Sequence, residues 1–270
     1  MLRKISLTAT VFSLLTLFGC QSKNDSKTVS IGVISGPESE LVSTAAEVMQ
    51  QQHQLTLKVV EFTDYSMPNR ALADKSIDAN MFQHQPYLDA DDKAHNYHLV
   101  ALGRTFIYPM GIYSQRLKSL SNLRDHAIIA VPNDPSNEAR ALLLLQKNGL
   151  IQLKAGVTTL ATIQDIDKNT REYQFKELDA AQLPRVLPDV DLAVINTNYA
   201  LPAGLKPKQD ALAIEGTDSL YANLLVVREA EKARPEFQQL LAALHSPQVQ
   251  AKAKELFQDQ AIAAWENASK

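Results

Sequence analysis

Hydrophobic and polar positions along this chain recur at two spacings, and the switches between them mark its elements. Val29-Ser30-Ile31-Gly32-Val33-Ile34 is rich in β-branched residues and runs into a Gly-Pro turn, which predicts a strand. Pro37 suits the first turn of a helix, and Glu38 and Glu40 favour its positive end. Apolar residues at 41, 42, 45, 46, 48 and 49 then form a helical stripe. A second strand is predicted over 55–62, a helix over about 68–75 and a short strand over 77–80. This strand-helix alternation implies a parallel sheet with helices on its faces. Two further strands are expected near 97–102 and 105–113, with Pro109 marking an edge or a crossing between lobes.

A new α/β unit starts at the strand 127–131. In Pro132-Asn133-Asp134-Pro135, Asp134 reads as an N-cap and Pro135 as the first helical residue. That helix runs to about Asn148, and Gly149 fits the position past its end. Strands follow at 172–178, 190–195 and 221–228, then helices at about 235–244 and 247–258, opened by Pro235 and Pro247. Two α/β units joined in mid-chain fit a two-lobed protein, although periodicity alone also allows one doubly wound sheet.

The first twenty residues carry a different pattern. Arg3 and Lys4 precede the apolar run 5–18, which is too short to span a bilayer comfortably and reads as a signal peptide over 1–19. Cys20, the only cysteine, ends this run, so no intramolecular disulfide is possible and lipidation outweighs a buried or reactive thiol. Leu17-Phe18-Gly19-Cys20 resembles a bacterial lipobox. An acylated Cys20 would anchor the chain to a membrane without spanning it. Residues 21–28 lack aliphatic and aromatic side chains, so 20–28 reads as a lipidated, flexible tether. The remainder, within a chain 45% hydrophobic and 21% charged, suffices for one large domain or two lobes. A net charge of −3 with scattered Lys and Arg gives no nucleic-acid signal.

Candidate site residues fall where strands end. Tyr65, Phe82, His84 and Tyr87 crowd into a segment rich in polar, turn-forming residues, at the C-terminal side of predicted strands. Open α/β sheets place ligands there, while packing under a loop is the plainer alternative. Arg140 lies in the first turns of the helix after Asp134. It suits a carboxylate there, or a surface pair with Glu138 or Glu172. Asn196, Asn198 and Asn223 could hold a zwitterionic head group or be satisfied by backbone. If the strand continues past 195, Asn196 and Asn198 face the same way.

Five segments together resemble the MetQ/NlpA family of methionine-binding lipoproteins of bacterial ABC importers. They are Phe62–Leu72, Ile77–Asp89, Pro132–Leu142, Asp191–Ala200 and Tyr221–Arg228. The resemblance covers about residues 29–260. It implies an α/β, type II periplasmic-binding-protein-like fold with a cleft between lobes joined by two crossovers. Lobe 1 would take 29–112, with C-terminal helices about 229–270 returning to it, and lobe 2 with the return crossover would take 113–228. It implies that Arg140 binds the ligand carboxylate and Asn223 the polar head, and that the aromatic set grips the side chain, where sulfur gains from ring contact. Relatives often have Gly where this chain has Ala139.

The implied partners are L-methionine or a related small ligand, an ABC permease and its ATPase, and a membrane through lipid on Cys20, with no nucleic acid and no cofactor. The expected location is the cell envelope, facing periplasm or exterior. Another apolar amino acid, a methionine-containing peptide or a non-transport surface role stays open. His84, His95 and His98 near Asp89, Asp91 and Asp92 raise metal binding, but without a helical ligand pair. No nucleophile elbow or phosphate loop supports an enzyme.

Overall fold

A computed structural model describes residues 28–216, 220–258 and 260–265. The signal peptide, Cys20 and nearly all of the tether lie outside the described residues. The first unit contains β1 (Thr28–Ile34), α1 (Pro37–His53), β2 (Thr56–Phe62), α2 (Pro68–Ala73), β3 (Ala79–Asn80), α3 (Gln85–His95) and β4 (Leu99–Ile107). The second contains β5 (Gly111–Tyr113), β6 (Ile128–Pro132), α4 (Pro135–Lys147), β7 (Gln152–Leu153), β8 (Ile166–Lys168), β9 (Gln174–Leu178) and α5 (Leu183–Val186). It continues through β10 (Leu192–Ile195), α6 (Thr197–Ala200), α7 (Pro207–Asp210) and β11 (Ala213–Ile214). The chain then returns through β12 (Ala222–Arg228), α8 (Pro235–Leu244), α9 (Pro247–Leu256) and β13 (Ile262–Ala263).

These strands form two large sheets, ordered β13-β4-β12-β3-β1-β2 and β11-β5-β10-β6-β9, with β7 and β8 as a separate ribbon. The single doubly wound sheet is thereby set aside, and the molecule is two-lobed. The expected parallel pairing holds among β1, β2 and β3. The first sheet is nevertheless mixed, because β12 inserts antiparallel between β3 and β4. Gly32 on β1 is a close-packed position, where an added Cβ would lie 2.6 Å from Ile77 and 2.8 Å from the Phe62 ring. Gly149 closes α4 with φ +72, as its place after Asn148 predicts.

Each sheet buries its own core. Ile31 and Val33 of β1 pack with Leu41, Ala45 and Met49 of α1 and with Phe237, Leu240 and Phe257 from the C-terminal region. Thus α8 and α9 return to the first sheet although they follow the second in sequence. Ile129 and Val131 pack with Leu142 and Leu145 of α4 in the other core.

Two local readings change. The strands expected at 97–102 and 105–113 become one long β4 and a short β5 in the other sheet. The break at Tyr108-Pro109-Met110 is a crossing between sheets. Helix α3 has no counterpart in the sequence reading. Only Tyr87 and Leu88 of its eleven residues are buried, too few to show a helical stripe. It is started by His84 and stopped by Asn96 at φ 55.

Candidate functional site

Tyr65, Phe82, His84, Tyr87, Arg140, Asn196, Asn198 and Asn223 all line one narrow cavity between the two sheets. Gln83, Tyr108, Asn137 and Thr197 complete its lining. The metal-ligand alternative loses its cluster. His84 is buried here, His95 pairs with Asp91 at 3.0 Å, and among the described residues no three ligating side chains gather.

One wall is aromatic and comes from the first lobe. Chain reversals at the C-terminal ends of β2 and β3 bring Tyr65 and Phe82 together, with ring centroids 5.9 Å apart. Tyr87, from the first turn of α3, stands edge-on to Phe82 at 5.5 Å and donates its hydroxyl to the Tyr65 carbonyl at 2.9 Å. Edge-to-face packing of this kind suits ring quadrupoles and leaves an apolar, polarisable surface. A buried amide network holds the wall from behind. Asn69 Nδ2 donates to Gln83 Oε1 at 2.9 Å, and Asn80 Nδ2 donates to Asn69 Oδ1 at 2.9 Å. Gln83 also accepts the Leu224 backbone N–H at 2.9 Å, tying the aromatic segment to β12.

His84 stands where the two walls meet. Its Nδ1 accepts the Tyr87 N–H at 3.3 Å, which caps α3. The proton therefore belongs on Nε2, which faces Asn137 Oδ1 at 3.3 Å. Burial, reinforced by the Arg140 charge, pushes the His84 pKa down to about 3. The ring is neutral near pH 7.

The polar wall belongs to the second lobe and sits on helix starts. Asp134 caps α4 by accepting the Asn137 backbone N–H at 2.9 Å and also its side-chain amide. This turns Asn137 Oδ1 outward, where it accepts Asn196 Nδ2 at 2.9 Å. Asn196 does not continue a strand. β10 stops at Ile195, and Asn196 begins α6 without capping it by its side chain. Asn198 lies in α6 and still reaches the cleft, where its Oδ1 accepts the Tyr65 hydroxyl at 2.8 Å. This bond crosses from one lobe to the other.

Arg140 is buried at 4% exposure, and its partner is neither Glu138 nor Glu172. Its Nε and Nη2 fork onto Glu215, with Nη2–Oε2 at 2.5 Å, and Nη2 also donates to the Tyr108 carbonyl at 3.0 Å. The guanidinium lies 4.5 Å from the Tyr221 ring centroid. None of these hydrogen bonds uses Nη1. Arg140 is thus fixed from behind, and its charge is partly neutralised before any ligand arrives. Asn223 lies on β12 and donates Nδ2 to Glu38 Oε1 at 2.8 Å.

Sequence reasoning missed Asn137, Glu215 and Glu38. Asn137 had a readable signal, since it is the third helical residue after an Asp N-cap. Glu38 and Glu215 had none, because each meets its partner only through the fold.

Comparison with known proteins places this architecture. Residues 29–265 match the NlpA lipoprotein family. A probable D-methionine-binding lipoprotein MetQ from Vibrio cholerae is 44% identical over 265 residues, covering 98% of each chain. A nutrient-binding protein from Burkholderia cenocepacia, solved bound to methionine, is 49% identical with a TM-score of 0.86, covering 87% of this chain and 99% of that one. An ABC-transporter periplasmic substrate-binding protein from Coxiella burnetii is 53% identical with a TM-score of 0.85, covering 87% and 100%. Family match, identity along the chain and shared two-lobed architecture agree that this chain belongs to the NlpA lipoprotein family.

Proposed function

We propose that this protein is the substrate-binding lipoprotein of an ABC importer and captures methionine between its two lobes. The observation that carries the reading is the cleft itself. A buried arginine and four asparagines share the cavity with Tyr65, Phe82, His84 and Tyr87, which matches a zwitterionic head and an apolar, sulfur-containing side chain. The relatives named for methionine binding support the same ligand. Arg140 and Asn223 hold the carboxylate and ammonium. Tyr65, Phe82, His84 and Tyr87 hold the side chain.

The cavity is narrow and Tyr65 bonds Asn198 across it, so the lobes must part to admit a ligand and close over it. The dividing line falls near the Tyr108–Met110 crossing, and the chain is back in the first sheet at β12. The closed face docks on the permease, and lipid on Cys20 keeps the protein at the envelope membrane.

Titration calorimetry against the twenty amino acids and D-methionine tests this. Methionine should bind best, with an affinity of about −8 kcal/mol or tighter. Tighter binding of a charged amino acid would sink the assignment. Small-angle scattering should show a smaller radius of gyration with methionine, and Cys20→Ala should release the protein from membranes.

A further inference from the structure

The cleft has a buried acid that the pocket lining conceals. Glu38 is the second residue of α1, at the C-terminal end of β1, and is 1% exposed. Its Oε1 accepts Asn223 Nδ2, while Oε2 is buried and has no hydrogen-bond partner among the described residues. Two further buried oxygens nearby in the cleft lining, Tyr108 OH and Asn196 Oδ1, share that condition. A buried carboxyl is costly unless something compensates it. One amide bond and the start of a helix are little compensation for a full negative charge.

We propose that Glu38 is a positioning residue for the ligand's ammonium group, acting through Asn223. The inference rests on the amino-acid reading of the cleft. With Nδ2 committed to Glu38, the Asn223 oxygen is left as the acceptor on the cleft side. Donation toward an acid also polarises the amide and makes that oxygen a stronger acceptor.

The same arrangement couples binding to a proton. Burial raises the Glu38 pKa to about 8, offset by the Asn223 bond. The other titratable groups that sense its charge are Tyr65 after β2, Tyr108 after β4 and Tyr199 on α6. All three are held well above their usual range by burial and stay neutral near pH 7. An arriving ammonium favours the ionised carboxyl, so the proton leaves Glu38 for solvent as the ligand binds. Nothing else in the step gains or loses charge.

Calorimetry at pH 7 in phosphate and in Tris, whose ionisation heats differ, reads this directly. Wild-type protein binding methionine should release close to one proton, and affinity should rise by up to about tenfold per pH unit between pH 6 and 8. Glu38→Gln keeps the size and the acceptor for Asn223 but removes the charge. It should abolish proton release and weaken methionine about tenfold or more. Binding of 4-(methylthio)butanoate, which lacks the amino group, should change less than twofold. Proton-neutral binding by wild type would overturn the inference without any variant. Equal weakening of both ligands by Glu38→Gln would also overturn it, as a purely structural role. Wild-type protein that binds no methionine would overturn the functional reading and this inference with it.

Discussion

The two walls of the cleft are built by different physics. The aromatic wall belongs to one lobe and is nearly continuous in sequence, with Tyr65, Phe82 and Tyr87 inside 23 residues. Its rings pack on one another and on Ile34, so it is a small apolar core left open on one side. The polar wall gathers Asn137, Arg140, Asn196 and Asn198 from two helix starts that are far apart in sequence. Each of its four groups meets a second polar group: Asn137 meets Asp134, Arg140 meets Glu215, Asn196 meets Asn137, and Asn198 accepts the Tyr65 hydroxyl from the other wall. The apolar wall needs shape and tolerates approximate placement. The polar wall needs direction, because a buried donor or acceptor that misses its partner costs about 1–3 kcal/mol.

If this contrast is right, damage to the polar wall should be large and indifferent to the ligand's side chain. Arg140→Ala removes the partner of Glu215 and, on the proposed reading, of the ligand carboxylate, so affinity should fall by about 2–5 kcal/mol. Titration with methionine and alanine should show similar losses for both. An unchanged methionine affinity would mean that Arg140 serves only the fold.

Damage to the aromatic wall should be smaller and selective. Phe82, only 4% exposed, presents its ring to the cleft, and Phe82→Ala should cost methionine roughly 1–3 kcal/mol while alanine loses less. The methionine-to-alanine affinity ratio is the readout, with norleucine as substitute if alanine is too weak. A constant ratio would erase the division of labour.

The meeting point of the walls should show in the pH dependence of stability. The folded pKa of His84, about 3, lies below its ordinary 6.5. Its contribution is therefore full above 6.5 and is lost as pH falls through that window toward 3. The slope is at most about 1.4 kcal/mol per pH unit. Glu38 has the opposite sign, since its pKa is raised from 4.5 to about 8, and its contribution is lost as pH rises through that interval. Melting curves of wild type and His84→Gln should diverge below pH 6.5. Parallel profiles would show that the ring is hydrated rather than buried.

The smallest effect concerns the link between walls. Tyr65→Phe keeps the ring but removes the hydroxyl that Asn198 accepts at 2.8 Å. The closed form should lose about 0.5–1.5 kcal/mol. Stopped-flow displacement should show faster methionine release with little change in capture rate. An unaltered release rate would make this contact incidental.

What the sequence alone determined is what depends on neighbours along the chain. The β1-α1-β2 order, the Asp134 cap with Pro135, the Gly149 stop and the aromatic cluster are all local signals, and they stand. The eight candidate residues, picked from separate segments, also line one cavity. Tertiary structure alone decided the rest. Helix α3 forms although its polar surface hides a helical period, because His84 caps it and Tyr87 docks on the aromatic wall. Arg140 takes Glu215, 75 residues away, over its sequence neighbour Glu138. Glu38 meets Asn223 across 185 residues. Helix caps and hydrophobic periods are short-range and write themselves into adjacent positions. Buried charge and amide pairs are chosen by which groups the fold strips of water together, and no spacing along the chain encodes that.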